Sequence, residues 1–338
     1  MKDKILVTGA AGFIGFHVCE KLLNKDISVV GYDNLNDYYS VELKKDRLKL
    51  LKKNKNFKFV KGNLENRKQM KDLFDSERPK IVINLAAQAG VRYSLKHPHD
   101  YIDSNLVGFL NILEGCRNTD VKHLIFASSS SVYGANKDIP FSTDDNVDHP
   151  VSLYAATKKS NELMAHSYSY LYDIPVTGLR FFTVYGPWGR PDMALFIFTR
   201  NILKGKPIRI FNNGDMRRDF TYVDDVVEGI FKLIDHPPKN NSESNKQNLI
   251  SNSSVAPYKI YNIGNNNPVE LMNFVKAVES ELGIEAKKEF EPMQPGDVKE
   301  TYADVSNLKN EIDYTPDTPI SEGVKRFIDW YKKYYNID

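Results

Sequence analysis

A glycine-spaced turn between an apolar strand and a helix constrains this chain more than any other feature. Lys4-Ile-Leu-Val-Thr8 is a short apolar strand, and Gly9-Ala-Ala-Gly12-Phe-Ile-Gly15 follows it at once. A helical pattern then runs from Phe13 to Leu23. In such a turn the first glycine permits the tight bend and the second lets the backbone approach a pyrophosphate. The third allows close helix–strand packing. The helix N-terminus offers free N–H groups and the positive end of its dipole to phosphates. A glycine-rich turn without a ligand has the same composition. Its place directly after the first strand favours a dinucleotide, with Gly9, Ala11, Gly12, Phe13, Ile14 and Gly15 as its contacts.

The rest of the first half repeats the alternation. Ser28–Asp33, Phe57–Gly62, Ile81–Ala86 and His123–Ala127 are apolar runs, with helical segments near Arg67–Phe74 and Asp100–Arg117. Apolar strands separated by helices imply a doubly wound parallel sheet with helices on both faces, a Rossmann-type α/β fold. Asp33 closes the second strand. A carboxylate there can bond both hydroxyls of an adenine ribose and would repel a 2′-phosphate, which favours NAD over NADP. Turn chemistry at Asp33-Asn34 is the plainer alternative.

After about residue 185 glycine, proline and aromatic residues become frequent and short strands alternate with helices. The division expected is a dinucleotide-binding part over 1–180 and a smaller mixed α/β part over 181–338, with a late strand returning to the first sheet. The stretch 237–257 contains Asn240-Asn-Ser-Glu-Ser-Asn-Lys-Gln-Asn, too polar to pack, and reads as an exposed loop. Ile320–Tyr335 reads as an amphipathic closing helix.

Composition excludes several classes. Lys and Arg total 46 against 44 for Asp and Glu, a net charge of +2, which argues against a dedicated nucleic-acid binder. No apolar run reaches the roughly 18 to 20 residues that cross a bilayer. Met1-Lys2-Asp3-Lys4 leads straight into a strand, so no signal peptide and a cytoplasmic location are expected. Cys19 and Cys116 read as core residues of a reducing compartment, and no metal site is expected.

Tyr154-Ala-Ala-Thr-Lys158 places a phenol and an ammonium on one helix face. A free tyrosine titrates near ~10, and a nearby cation would lower that value towards a working base. Phe126-Ala-Ser-Ser-Ser-Ser-Val-Tyr-Gly134 starts at the end of a strand, where ligands bind in open α/β sheets, and its hydroxyls can polarise a substrate oxygen.

The glycine motif, Asn84-Leu-Ala-Ala87, Ser129-Ser-Ser-Val-Tyr-Gly134, Tyr154-x-x-x-Lys158 and Arg218-Asp-Phe-Thr-Tyr-Val-Asp-Asp225 stand in the order found in extended short-chain dehydrogenases/reductases. The chain resembles that family over nearly its whole length. The resemblance implies a Rossmann domain with bound NAD, a smaller C-terminal domain over 181–338 that mainly binds the UDP-sugar substrate, and a catalytic set of Ser129, Tyr154 and Lys158. It adds Asn34, Asn63, Leu64, Leu85, Ala86 and Ala87 to the cofactor contacts, and it implies a homodimer through helices near 100–116 and 152–172. Relatives usually carry Asp where Asn63 stands.

Within the family, dehydratases and decarboxylases carry acidic residues where Ser130 and Ser131 stand. Their absence favours return of the hydride, that is, epimerisation. The stretch Tyr32–Tyr39 with Leu43–Leu48, and Arg180-Phe-Phe-Thr-Val-Tyr-Gly-Pro-Trp-Gly-Arg-Pro-Asp-Met193, resemble UDP-glucuronate 4-epimerases. Where UDP-galactose 4-epimerases usually have Asn, this chain has Thr183, a shorter group that leaves room for a sugar carboxylate. Arg190 is the candidate charge partner by bidentate pairing, and Ser130 a further contact. By the same resemblance Arg218 meets the diphosphate and Asp297 the uridine ribose. Gln294 stands where many relatives have Arg, and Arg92 is the candidate replacement or else a helix cap. Tyr154 as phenolate is expected to take the proton of the 4-hydroxyl while C4 gives hydride to NAD, and Ser129 to steady the carbonyl. Lys158 keeps Tyr154 acidic and holds the nicotinamide ribose; the keto sugar then turns and both steps reverse. The rivals are a decarboxylase, an epimerase of neutral or N-acetylated UDP-sugars and a non-catalytic NAD sensor, which would not need Tyr154 and Lys158.

Overall fold

Short apolar strands joined by helices bring the chain back to the same end of the sheet each time, which forces parallel pairing. The computed structural model describes residues 4–240, 252–294 and 297–337. Outside them lie the first three residues on which the leader reading rests, 241–251 of the expected loop, and Pro295-Gly296 before Asp297.

The first half runs β1 (Ile5–Thr8), α1 (Phe13–Leu23), β2 (Val29–Asp33), α2 (Val41–Leu51), β3 (Phe57–Lys61), α3 (Arg67–Glu77) and β4 (Ile81–Asn84). Two short turns, α4 (Val91–Ser94) and α5 (Pro98–Tyr101), precede α6 (Gly108–Asn118), β5 (His123–Ser129), α7 (Leu153–Tyr172) and β6 (Val176–Phe181). The second half runs β7 (Thr183–Tyr185), α8 (Ala194–Leu203), β8 (Ile208–Phe211), β9 (Arg217–Arg218), β10 (Phe220–Tyr222) and α9 (Val223–Leu233). It closes with β11 (Tyr258–Ile263), β12 (Val269–Glu270), α10 (Leu271–Leu282), β13 (Lys288–Glu291), α11 (Ser306–Ile312) and α12 (Ile320–Tyr335).

Seven strands form one sheet in the order β11-β6-β5-β4-β1-β2-β3, and every neighbouring pair is parallel. The Rossmann-type α/β expectation is borne out. The chain winds outward from β1 through β2 to β3, then reverses through β4, β5 and β6. The crevice at that reversal, above the C-terminal strand ends, is where such sheets bind ligands. Late in the chain, β11 crosses back and pairs with β6 from Tyr258↔Val176 to Ile263↔Phe181.

Alternation along the strands divides the core into two layers. Leu6, Val30, Val82, Leu124, Val176 and Ile260 face one side with α3, α6 and α7. Ile5, Val7, Val29, Ile83 and Ile125 face the other with α1. Both faces are covered, so β1 and β2 have no exposed position, as continuous apolar runs require. Beyond β6 the chain forms two-stranded sheets, β7 with β10, β8 with β13 and β9 with β12.

Two segments differ from the sequence reading. The helix expected over 100–117 is interrupted: Ile102–Val107 is a π-helical turn. The extra residue turns the buried Asn105 towards Gln88 and Thr157, to whose oxygens it donates at 3.1 and 3.0 Å. The second correction concerns 252–257, the end of the expected exposed loop. Asn252 is buried and donates to Thr143 Oγ1 at 2.9 Å and to Asp144, and Ala256 is buried too. The bonds from the Asn252 amide nitrogen tie this polar stretch to 143–144, which composition alone does not reveal.

Helix α7 is tied to the sheet by a buried ion pair. Arg180 on β6 donates from Nε and Nη2 to the two oxygens of Glu162, each at 2.9 Å. Ser128 Oγ adds a bond to Glu162 Oε1 at 2.7 Å. Removing one member of such a pair strands the other charge, at a cost of about 3 to 5 kcal/mol. Glu162→Ala should lose about that much in guanidinium unfolding, and a loss under about 1 kcal/mol would show that the pair does not anchor α7.

Candidate active site

The site grows from the glycine turn upward. Gly9 has φ +70°, and a Cβ there would lie 2.8 Å from the Ala86 N. A Cβ on Gly15 would lie 2.0 Å from the Gly9 carbonyl oxygen, so α1 can approach β1 only because that position is glycine. Gly12 is the N-cap of α1, with no side-chain cap and no acidic residue in the first turn. The first N–H groups of α1 thus face a cleft of about 1410 Å³, counted to its open mouth.

Of the expected cofactor contacts, Gly9, Gly12, Phe13, Ile14, Gly15, Asp33, Asn34, Leu64, Leu85, Ala86 and Ala87 line this cleft. Ala11 and Asn63 do not. Ala11 spends its N–H on Asp33 Oδ2 at 3.1 Å and its carbonyl on Arg47 at 2.8 Å. Asn63 gives its carbonyl to Tyr32 and its N–H to Gln69. Asp33 also accepts from the Leu35 N–H at 2.8 Å, and each oxygen keeps a lone pair for a ribose. Burial pushes its carboxyl up, against the pull of those N–H groups, Lys44 and Arg47.

Ser129, Tyr154 and Lys158 come together at the far end of the same cleft. Ser129 ends β5 at the sheet's C-terminal edge. Its Oγ accepts from the Ser131 N–H at 3.1 Å and so starts the turn Ser130–Tyr133. Tyr154 and Lys158 lie on the first turns of α7, which Ser152 caps by accepting from Ala155 N. Lys158 is buried and donates from Nζ to the Ala127 carbonyl at 2.9 Å. Burial brings its ammonium down to about 8, opposed by Glu162 one turn along. Burial pushes the Tyr154 phenol up, and the groups that pull it down are the Ser129 hydroxyl and the Arg190 charge. The Lys158 ammonium, which the sequence pairs with the phenol one helical turn away, donates to the Ala127 carbonyl.

The substrate candidates fall into two groups. Arg190 lines the cleft beside Met193, and Thr183 lies in a small apolar recess that shares Phe13, Val184, Arg190 and Met193 with it. Arg190 pairs with Asp192 through Nε at 3.0 Å and Nη2 at 2.5 Å, so part of its bidentate capacity is taken. Ser130 stands just outside the cleft lining. Away from this end, Arg92 donates to Asp297 at 2.8 Å and lies 4.9 Å over the Phe211 ring. Arg218 gives its guanidinium to the carbonyls of Arg217, Val298 and Lys299. Asp297 and Arg92 act on it electrostatically.

The sequence reading passed over Tyr38, Tyr39, Lys44, Gln88 and Ser104, which also line the cleft. Tyr38, Tyr39 and Lys44 sit in the stretches Tyr32–Tyr39 and Leu43–Leu48 that carry the family resemblance, which marks the segment but gives these side chains no role. Among the described residues no group of three or more His, Cys, Asp and Glu could hold a metal ion, and no helix is long and apolar enough to cross a membrane.

The model of the NAD dependent epimerase/dehydratase family matches residues 5–264. The chain belongs to that family. It is an NAD-dependent nucleotide-sugar epimerase, and NAD is its cofactor. It is 59% identical over 332 residues to Protein CapI of Staphylococcus aureus, covering 98% of this chain and 99% of that one. It is 48% identical over 333 residues to a probable UDP-glucuronate 4-epimerase of Rhizobium meliloti, covering 98% of each. The fold superposes on the crystal structure of UDP-glucuronic acid 4-epimerase from Bacillus cereus, solved in complex with UDP-glucuronic acid and NAD. The TM-score is 0.86 at 35% identity, covering 98% of this chain and 100% of that one.

The displaced titration of Lys158 has a measurable consequence. Below about pH 8 the ammonium is charged in folded and unfolded chains alike. Between about 8 and its ordinary 10.5 the folded protein has lost a proton that the unfolded chain keeps, so the group favours the fold increasingly as pH rises. Unfolding of the protein freed of NAD should therefore show Lys158→Met losing ground to the parent from pH 8 to 10, by up to about 3 kcal/mol. A difference independent of pH would contradict the displaced titration.

Proposed function

We propose that this epimerase interconverts UDP-glucuronate and UDP-galacturonate. The observation that carries the reading is Arg190: a cation held at the cleft beside Ser129, Tyr154 and Lys158, where a neutral sugar needs no charge partner. Asp192 takes Nε and Nη2 of this guanidinium, and its remaining N–H groups can meet a ligand carboxylate. The Rhizobium meliloti and Bacillus cereus proteins described above support the same substrate.

In this reading the α1 N-terminus and Gly9–Gly15 hold the pyrophosphate of NAD, Asp33 its adenine ribose and Lys158 its nicotinamide ribose. Asn34, Leu64 and Leu85–Ala87 complete the cradle. Bound NAD supplies the acceptor and donor of the C4 hydride. Tyr154 takes the proton of the 4-hydroxyl as C4 becomes a carbonyl, and Ser129 Oγ donates to that oxygen. The keto sugar then turns about its diphosphate link, and Tyr154 returns the proton on the other face. Arg92, Arg218 and Asp297 hold the UDP. Ser130 and Ser131, lacking a carboxyl, offer no acid for elimination.

A 4-keto glucuronate is a β-keto acid that loses CO₂ when its carboxylate bond aligns with the carbonyl π system. Thr183, Ser130 and Arg190 hold it out of that alignment in this proposal. We also place the enzyme in the cytoplasm as a homodimer. Exposed Leu163, Tyr170 and Leu171 on α7, with Ile102 and Val107 beside α6, form the dimer face.

Two measurements test these statements. Purified enzyme given UDP-glucuronate without added NAD should yield UDP-galacturonate, and Thr183→Ala or Arg190→Ala should release more UDP-pentose than the parent. No turnover of UDP-glucuronate, with turnover of neutral or N-acetylated UDP-hexoses, would sink the assignment. In sedimentation the parent should run as a dimer and Leu171→Glu should shift towards monomer; a monomeric parent would refute the interface.

A further inference from the structure

Arg190 reaches the cleft on the loop 186–192, which contacts from α1, α2 and α12 hold in place. Trp188 sits at φ +59°, a region few non-glycine residues adopt, so surrounding contacts must fix it. The contacts are dense. The Pro187 carbonyl accepts from His17 Nε2 at 2.9 Å. The Trp188 indole packs on Phe16, Trp330 and Tyr334, with ring centres 5.1 to 5.5 Å apart.

Arg47 is the unusual member. It lies on α2 among lysines, yet it is 0% exposed. Its Nη2 donates to the Trp188 carbonyl at 2.5 Å and the Gly189 carbonyl at 3.4 Å. Its Nη1 donates to the Ala11 carbonyl at 2.8 Å and to Tyr39 Oη at 2.9 Å. One buried guanidinium thus joins the glycine turn to the backbone just before Arg190. Carbonyls and the Tyr39 hydroxyl, rather than a carboxylate, take the bonds of both Nη groups, while Nε is buried without a hydrogen-bond partner among the described residues.

The side chain of Arg190 is held from the same quarter. Tyr38, from the β2–α2 segment, donates to Asp192 Oδ2 at 3.0 Å, the oxygen that also accepts from Arg190 Nη2. The Arg190 guanidinium lies 5.7 Å over the Tyr38 ring. Gly90, at φ +105°, leaves room for the phenol, since a Cβ there would lie 2.5 Å from Tyr38 Oη.

We propose that Tyr38 and Arg47 are positioning residues that set Arg190 for the sugar carboxylate, Tyr38 through Asp192 and Arg47 through the Trp188–Gly189 backbone. The inference rests on the reading of Arg190 given above. Its physical content is preorganisation. A long cation pinned before the ligand arrives loses little rotamer freedom on binding, whereas a loose one loses much. Pinning that acts through Arg190 must favour an anionic sugar over a neutral one.

The test is the dissociation constant of NAD-loaded enzyme for UDP-glucuronate and, as the neutral probe, UDP-glucose, by calorimetry. Tyr38→Phe, which removes one oxygen, should weaken UDP-glucuronate about three- to tenfold and UDP-glucose less than about twofold. Arg47→Lys should show the same bias. In an Arg190→Met background Tyr38→Phe should have no further effect, whereas a purely structural role would persist there. Equal weakening of both sugars by Tyr38→Phe, or an undiminished effect in the Arg190→Met background, overturns the inference. A discriminating Arg190→Met beside a silent Tyr38→Phe overturns it alone. Equal weakening of both sugars by Arg190→Met removes the carboxylate reading and this inference with it.

Discussion

The ion pair between Arg180 and Glu162 is the constraint on which the candidate site depends. Both groups are closed to water, and both oxygens of Glu162 are occupied by the guanidinium. Such a pair tolerates little displacement, because separating it would leave two buried charges unmet. Helix α7 therefore has a set position over β5 and β6. Tyr154 and Lys158 ride on that helix, Ser129 ends β5, and the loop to Arg190 follows β7, which begins two residues after β6. The pair also reaches inward: Ser128 bonds Glu162, the Tyr133 ring lies 5.0 Å from the Arg180 guanidinium, and Glu162 helps Lys158 keep its proton.

A second constraint sets the other end of the cleft. The reversal of strand order between β1 and β4 opens a crevice, and three glycines let α1 begin almost in contact with β1. The chain spends its polar groups there on itself. Thr8 Oγ1 donates to Asn84 and accepts from the Ala86 N–H, while Ala11 donates to Asp33 and accepts from Arg47. Arg47 links this end to the loop of Arg190, which makes the two ends parts of one assembly.

Much of this was legible in sequence. Strand–helix alternation, the glycine spacing, Asp33 at a strand end and the Tyr154–Lys158 interval are local patterns, and local geometry follows from them directly. The parts that were not legible have non-local causes. Arg47 looks like one more cation on a solvated helix until Ala11, Trp188 and Gly189 are brought around it. The interruption at 102–107 has no proline or glycine to announce it and follows from the partners of Asn105. The burial of 252–257 depends on Thr143 and Asp144, more than a hundred residues away.

The phenol shows the division most plainly. The sequence by itself determined that Tyr154 and Lys158 share a helix face, because helical periodicity requires it. It also determined the parallel sheet and the dinucleotide turn, since strand burial and glycine sterics act within a few residues. Only the tertiary structure decided that a second cation, Arg190, acts on the phenol. Lys158 donates to the Ala127 carbonyl and is lowered by burial, and Arg190, distant in sequence, adds its charge beside the phenol. Electrostatic influence follows distance and burial in space, and neither can be counted along the chain.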